Sequence, residues 1–331
     1  MNILLTGGAG YIGSHAAVVL TEAGHHAVIL DNFSNSYYNV LDRLTKITGI
    51  VIPSVEGDIR DTSLLIKVFQ DHKIEAVMHF AGLKAVGESV YNPLNYFDNN
   101  IGGTISLLQA MKTSNIKHLV FSSSATVYGA PQYLPIDEAH PTKATNPYGR
   151  SKLHIEEMLA DVMISDSTWH IACLRYFNPV GAHESGLVGE DPNGIPNNLM
   201  PYIAGVASGK LPHLNVYGND YDTPDGTGVR DYIHVMDLAE GHLAALNFIK
   251  QQSGLHAINL GTGKGSSVLE MVNTFEQVSG ESITMKVTKR RPGDVAACYA
   301  KVDKASLNLG WKATRTIKDM CTSTWNFQKN L

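Results

Sequence analysis

The chain has 331 residues, 44% of them hydrophobic and 17% charged, with a formal net charge of −5. That size allows two packed lobes, and that composition excludes a disordered chain. Lys289-Arg290-Arg291 is an isolated basic triplet, so no nucleic-acid partner is expected. The cysteines, Cys173, Cys298 and Cys321, are too scattered for a disulfide framework or a zinc site, which predicts a reducing, cytoplasmic setting. No apolar run approaches the roughly 20 residues of a membrane span, so no membrane partner is expected. The opening Asn2-Ile3-Leu4-Leu5-Thr6 reads as a strand, not as a targeting segment.

In chain order, apolar runs at 3–6, 27–30, 51–55, 76–80, 118–122 and 171–176 read as strands. Amphipathic stretches at 11–24, 61–70, 94–113 and 147–164 read as helices. Such alternation predicts an α/β fold: a Rossmann-type doubly wound parallel sheet, followed by a smaller C-terminal α/β domain that binds substrate. The division is expected at 1–180 and 181–331, with a strand near 256–261 returning to the first domain. Gly and Pro thicken between 178 and 228, as in Asn193-Gly194-Ile195-Pro196, and long loops of that kind often line a site. Further helices are expected at 235–250, 267–279 and 316–328.

The first strand runs into Gly7-Gly8-Ala9-Gly10-Tyr11-Ile12-Gly13, with glycines spaced GxxGxxG. Gly7, Gly10 and Gly13 permit a tight turn and let backbone N–H groups approach a pyrophosphate at a helix N-terminus. Asp31 ends the second strand, where an acid accepts from a ribose 2′-hydroxyl and repels a 2′-phosphate, predicting NAD rather than NADP. Asp58, in Glu56-Gly57-Asp58-Ile59, is open to two readings, an acceptor in the ligand crevice or a helix cap. Phe80-Ala81-Gly82 lets the chain pass close to a cofactor. Gly261-Thr262-Gly263-Lys264-Gly265 lacks the Ser or Thr of a P-loop.

Tyr148 and Lys152 stand four residues apart after Asn146-Pro147, which places both on one face of a helix that begins at the proline. A phenol is a poor base at neutral pH; a nearby ammonium favours its ionised form. Ser124, after the fifth strand, can bond the same substrate oxygen. These three suit removal of a hydroxyl proton as a carbon is oxidised.

Segments 6–15, 31–32, 55–60, 79–89, 98–100, 121–129, 148–152, 174–182, 189–202, 217–238 and 290–299 together resemble the extended short-chain dehydrogenase/reductase family, and within it the sugar-nucleotide 4-epimerases. The resemblance implies that Ser124, Tyr148 and Lys152 are catalytic. It implies NAD contacts from Tyr11, Ile12, Asp31, Asn32, Ser36, Asp58, Ile59, Phe80, Ala81, Gly82, Lys84, Asn99 and Phe177. It implies contacts to a UDP-sugar substrate from Asn178, Asn198, Leu199, Tyr217, Arg230, Arg291 and Asp294. The expected reaction is inversion of C4 of a UDP-hexose through a 4-keto sugar. Arg230 and Arg291 can fork onto a diphosphate, although Arg230 can also pair with adjacent Asp231. Sibling dehydratases and decarboxylases would need a carboxylate where Ala125 and Thr126 stand. A non-catalytic NAD sensor would not need the three catalytic side chains. Family members restricted to plain hexoses carry a bulky Tyr at the position of Cys298; the smaller Cys opens the pocket to N-acetylated sugars, or only packs. A homodimer is expected, through the helices at 94–113 and 147–164, which can equally pack within one monomer.

Overall fold

The computed structural model describes residues 1–331 except 193, 195, 197 and 292. Asn193 and Ile195 of the Gly/Pro-rich loop therefore lie outside the described residues. The first half alternates β1 (Asn2–Thr6), α1 (Tyr11–Glu22), β2 (His26–Asp31), α2 (Asn39–Thr48), β3 (Ser54–Glu56), α3 (Thr62–Asp71) and β4 (Ala76–His79). Then come α4 (Val86–Tyr91), α5 (Pro93–Phe97), a π-helical turn (Asp98–Gly102), α6 (Gly103–Thr113), β5 (His118–Ser122), α7 (Pro147–Ser165) and β6 (His170–Tyr176). The second half carries β7 (Asn178–Val180), α8 (Leu199–Ala207), β8 (Leu214–Tyr217), β9 (Val229–Arg230), β10 (Tyr232–His234) and α9 (Val235–Ile249). It closes with β11 (Gly254–Leu260), β12 (Ser266–Ser267), α10 (Val268–Ser279), β13 (Met285–Thr288), β14 (Ala297–Cys298) and α11 (Ile317–Lys329).

The principal sheet has seven strands in the order β11-β6-β5-β4-β1-β2-β3, all parallel. Alternate residues of its strands feed opposite faces. Ile3, Leu5, Ile29, Met78, Val120 and Leu174 pack with α1, α2 and α9. Leu4, Val28, Val77, Leu119, Phe121 and Ile171 pack with α3, α6 and α7. Burial on both faces explains why these strands read as unbroken apolar runs. Each fully buried Leu, Ile or Phe contributes roughly 1.5–3 kcal/mol. A separate core joins Val180, Met200, Ile203, Val216, Met271, Phe275 and Met320. β11 pairs β6 from Gly254↔His170 to Leu260↔Tyr176, so the late strand extends the principal sheet. Among the described residues no helix is long and apolar enough to cross a membrane. The three cysteines are free.

Three details depart from the sequence expectation. The third strand is Ser54–Glu56 rather than 51–55, because Pro53 has no N–H to give a ladder, although its carbonyl accepts from Ile29 N at 2.9 Å. The helix expected over 94–113 is broken by the π-helical turn at Asp98–Gly102. Asn100 explains the break: its side chain accepts from Leu83 N at 2.8 Å and donates to Leu83 O and Ser151 Oγ, each at 3.0 Å. Helix α8 forms inside the Gly/Pro-rich region. Its Pro201 sits in the first turn, where the missing N–H would have had no helical partner.

Asp231 fastens the second half. It is fully buried and accepts from Thr262 N (2.8 Å), Thr262 Oγ1 (2.7 Å), Gly263 N (3.0 Å) and Ala300 N (3.1 Å). The adjacent Arg230 takes no part. Asp231→Ala would strand these buried donors, and we expect a loss of about 3 kcal/mol in unfolding free energy. The urea midpoint at unchanged m-value measures it.

Candidate active site

The strand order reverses between β1 and β4, and ligands of such sheets bind beyond the carboxyl ends of strands at that point. There the backbone is unusually close. Gly7 has φ +68°, and a Cβ on it would lie 2.7 Å from Ala81 N. A Cβ on Gly13 would lie 2.4 Å from Gly7 O, so helix α1 sits directly on the turn. The helix starts at Gly10 with no side-chain cap and no acid in its first turn. Its first N–H groups and partial positive charge therefore face the crevice without a resident anion. Asp31 is buried and accepts from Ala9 N (3.0 Å), Phe33 N (2.9 Å) and Ser36 Oγ (3.1 Å), which joins the turn to the loop after β2. These features fit a dinucleotide pyrophosphate and ribose.

The remaining crevice residues divide. Asp58 accepts from Arg60 N, Nε and Nη2 at 2.9, 2.9 and 2.7 Å. The Arg60 guanidinium lowers its carboxyl to about 2, with Asn32 bonding it too. The cap of α3 is Asp61, accepting from Leu64 N at 2.9 Å, so Asp58 is not that cap. Ile59 is a core residue against Gly103. Phe80 packs on His242. Ala81 N donates to Thr6 O at 2.9 Å. Gly82 stands against Asn100 and the Lys152 ammonium. Asn99 donates to Asn100 Oδ1 at 3.0 Å. Tyr11 donates to Gly181 O at 2.7 Å, and Ile12 packs against the core under α1. Phe177 is buried with Val127, Tyr128 and Ala300.

Ser124, Tyr148 and Lys152 converge at the ends of β5 and the start of α7, and all three are buried. Asn146 caps α7 by accepting from Gly149 N at 2.8 Å, with Pro147 at its first position. Ser124 Oγ accepts from Thr126 N (3.2 Å) and Thr126 Oγ1 (2.9 Å). The Ser124 hydroxyl also acts on the Tyr148 phenol and favours its ionised form. Burial pushes the Tyr148 phenol up, and the Ser124 bond acts the other way. Lys152 Nζ donates to Ser122 O at 2.8 Å and lies over the Phe121 ring at 4.9 Å. Burial lowers this amine to about 8, opposed by Glu156. The help given to the phenolate comes from Ser124.

On the other wall, Asn178 is exposed on β7, its N–H bonded to Asp231 O at 2.9 Å. Arg230 does not pair with Asp231: Nη1 donates to Val229 O at 2.8 Å and Nη2 lies 3.9 Å from Asp294. Asp294 also accepts from Arg291 Nε at 2.9 Å, and Arg291 stacks on Tyr217 at 4.7 Å. Asn198 is the N-cap position of α8 and Leu199 its first residue. Cys298 pairs with Arg230 across β14 and β9 and packs beside Phe177 and Tyr128. Burial raises its thiol to about 11.

Three residues here are absent from the sequence expectation. Glu190 accepts from Lys84 Nζ at 2.8 Å and Asn198 Nδ2 at 2.6 Å. Asn100 and Glu156 are the others. Glu156 alone had a legible signal, since it stands four residues beyond Lys152. Among the described residues, no group of three His, Cys, Asp or Glu could hold a metal.

The family model described as GDP-mannose 4,6 dehydratase matches residues 4–324. A protein of Bacillus subtilis (strain 168) named UDP-glucose 4-epimerase is 56% identical over 330 residues, covering 100% of this chain and 97% of its own length. The structure is similar to UDP-glucose-4-epimerase from Stenotrophomonas maltophila, solved with bound NAD and formylated UDP-arabinopyranose (TM-score 0.98, 52% identity, 100% of this chain and 98% of that one). It is also similar to UDP-glucose 4-epimerase from Bifidobacterium longum in complex with NAD+ and UDP (TM-score 0.96, 53% identity, 100% and 98%). On this sequence likeness over its whole length, the chain belongs to the UDP-glucose 4-epimerase family of extended short-chain dehydrogenase/reductases.

Proposed function

We propose that this protein reversibly inverts C4 of a UDP-hexose, UDP-glucose and UDP-galactose first, through a 4-keto sugar. The observation that carries the reading is the buried convergence of Ser124, Tyr148 and Lys152 beside the glycine crevice. Bound NAD would supply reversible oxidation at C4. The Gly7–Gly13 turn, Asp31, Lys84 and Asn99 would hold it. Tyr148 accepts the C4 hydroxyl proton as that carbon is oxidised and returns it when the keto group is reduced on the opposite face. Ser124 bonds the same oxygen, and Lys152 supplies positive charge at the site. Arg230 and Arg291 fork onto the diphosphate, while Asn178 and Asn198 read hydroxyls. On this reading 1–180 is the cofactor domain and 181–331 the substrate domain, with α9 and β11 of the second stretch returning to the cofactor-domain sheet. No carboxylate stands at Ala125 or Thr126, so elimination of water gains no support.

The free cysteines suit a cytoplasmic enzyme. Val90, Tyr91, Leu94 and Ile164 are exposed apolar side chains on α4, α5 and α7, and they support a homodimer through this face. Leu94→Asp with Tyr91→Asp should then give a monomer by sedimentation.

The test is turnover of UDP-galactose by purified protein with no added nucleotide, following UDP-glucose by NMR. Wild type should form product, and Tyr148→Phe should be slower by about 10³-fold. No product even with added NAD would overturn the reading. On the same reading the small Cys298 leaves room for an N-acetyl group, whereas its packing against the Phe177 and Tyr128 cluster supports a purely structural role. Cys298→Tyr should abolish turnover of UDP-N-acetylgalactosamine and keep that of UDP-galactose; equal retention of both would reduce Cys298 to packing.

A further inference from the structure

Glu156 lies one helical turn beyond Lys152 on α7, and the two are 7% and 4% exposed. Its carboxylate accepts from Ser123 Oγ at 2.5 Å and from Arg175 Nε at 3.0 and 3.1 Å and Nη2 at 2.5 Å. A buried ion pair is rarely the most stabilising choice, because an apolar pair of similar volume often does as well. The neighbours of this pair give it another use. Ser123 directly precedes Ser124, and Ser122 O holds Lys152 Nζ at 2.8 Å. Arg175 belongs to β6 and continues to Tyr128 Oη at 3.1 Å, and Tyr128 donates to Asn259 Oδ1 at 2.6 Å. One carboxylate therefore bolts α7 to the strand end that carries Ser124 and to β6.

We propose that Glu156 is a positioning residue of the active site: it fixes the Lys152 helix to the Ser124 strand end and sets a carboxylate one helical turn from the Lys152 side chain. The inference rests on the epimerase reading for its kinetic test only. The titratable groups around Lys152 are Tyr148 and Glu156 on α7, His79 from β4 and Tyr176 from β6, with Arg175 and Cys173 facing Glu156. Burial holds His79 near 3 and pushes the Tyr176 phenol far up, so neither changes charge near neutral pH. Glu156 is the group that opposes the loss of the Lys152 proton. An amide in its place removes that opposition and leaves the Arg175 charge, and both effects favour the neutral amine.

The experiment compares kcat–pH profiles of wild type, Glu156→Gln and Glu156→Asp. In Glu156→Gln the alkaline limb, set by Lys152, should move down by about one pH unit, with activity above it falling about tenfold. Glu156→Asp keeps the charge and should return the limb toward wild type. A folded Glu156→Gln with an unmoved limb overturns the proposal. If that variant does not fold, Glu156→Gln with Arg175→Gln removes the carboxylate without stranding the guanidinium, and the limb should move down by less; an unmoved limb there overturns the proposal as well. NMR titration of lysine-labelled protein, with Lys152 assigned from Lys152→Met, reads the same shift without turnover. A moved Lys152 titration in a protein that turns over no UDP-hexose would overturn the epimerase reading and keep this one; an unmoved titration would overturn this one.

Discussion

Between the ends of β1 and β4 the backbone leaves no room for a side chain: a Cβ on Gly7 would meet Ala81 N at 2.7 Å. Much of the site follows from that contact. Ala81 N and Phe80 N both donate to Thr6 O at 2.9 Å, so the two strand ends share one acceptor. Gly13 brings α1 onto the same turn, and Asp31 ties the turn to β2 through Ala9 N. The N-terminus of α1 is thus aimed across the sheet at the point where the strand order reverses. An alanine at Gly7 would be strained twice, by its positive φ and by the contact.

The same burial sets the acid–base character of the site. It raises the Tyr148 phenol and lowers the Lys152 amine, so each group is driven toward its neutral form. A neutral pair would have no base and no positive charge. Two features oppose this outcome: the Ser124 hydroxyl at the end of β5, which Thr126 orients, and the Glu156 carboxylate on α7.

Much of this was legible in the sequence, for definable reasons. Strands buried on both faces write themselves as apolar runs, and the glycine turn and Tyr148/Lys152 have local spacing. What was not legible depends on contacts distant along the chain. Lys84 meets Glu190 across 106 positions, and nothing in the local pattern of either predicts it. The π-helical turn exists because Asn100 answers the 83 backbone and Ser151, so periodicity alone gave a continuous helix. Pro201 falls inside the Gly/Pro-rich stretch from 178 to 228, yet the first turn of a helix tolerates it. For Arg230 the sequence left two partners open. Geometry removes the second, because Asp231 is already saturated by the 262–263 turn and Ala300.

That choice bears on how a nucleotide would be gripped. Asp294 faces two guanidiniums, Arg291 at 2.9 Å and Arg230 at 3.9 Å, so the cluster keeps a net positive charge. Tyr217 supports the Arg291 plane from below. Two arginines already oriented by a carboxylate and a ring lose less freedom on meeting a diphosphate than free side chains would. Orientation of this kind favours the nucleotide end of the ligand. At the other end, Ser124 and Tyr148 need only reach one oxygen. An inversion at C4 demands that asymmetry, because the sugar must present two faces while its anchor stays in place. The division of labour between a charged, pre-oriented wall and a small buried base is therefore the feature of this fold that suits it to epimerisation.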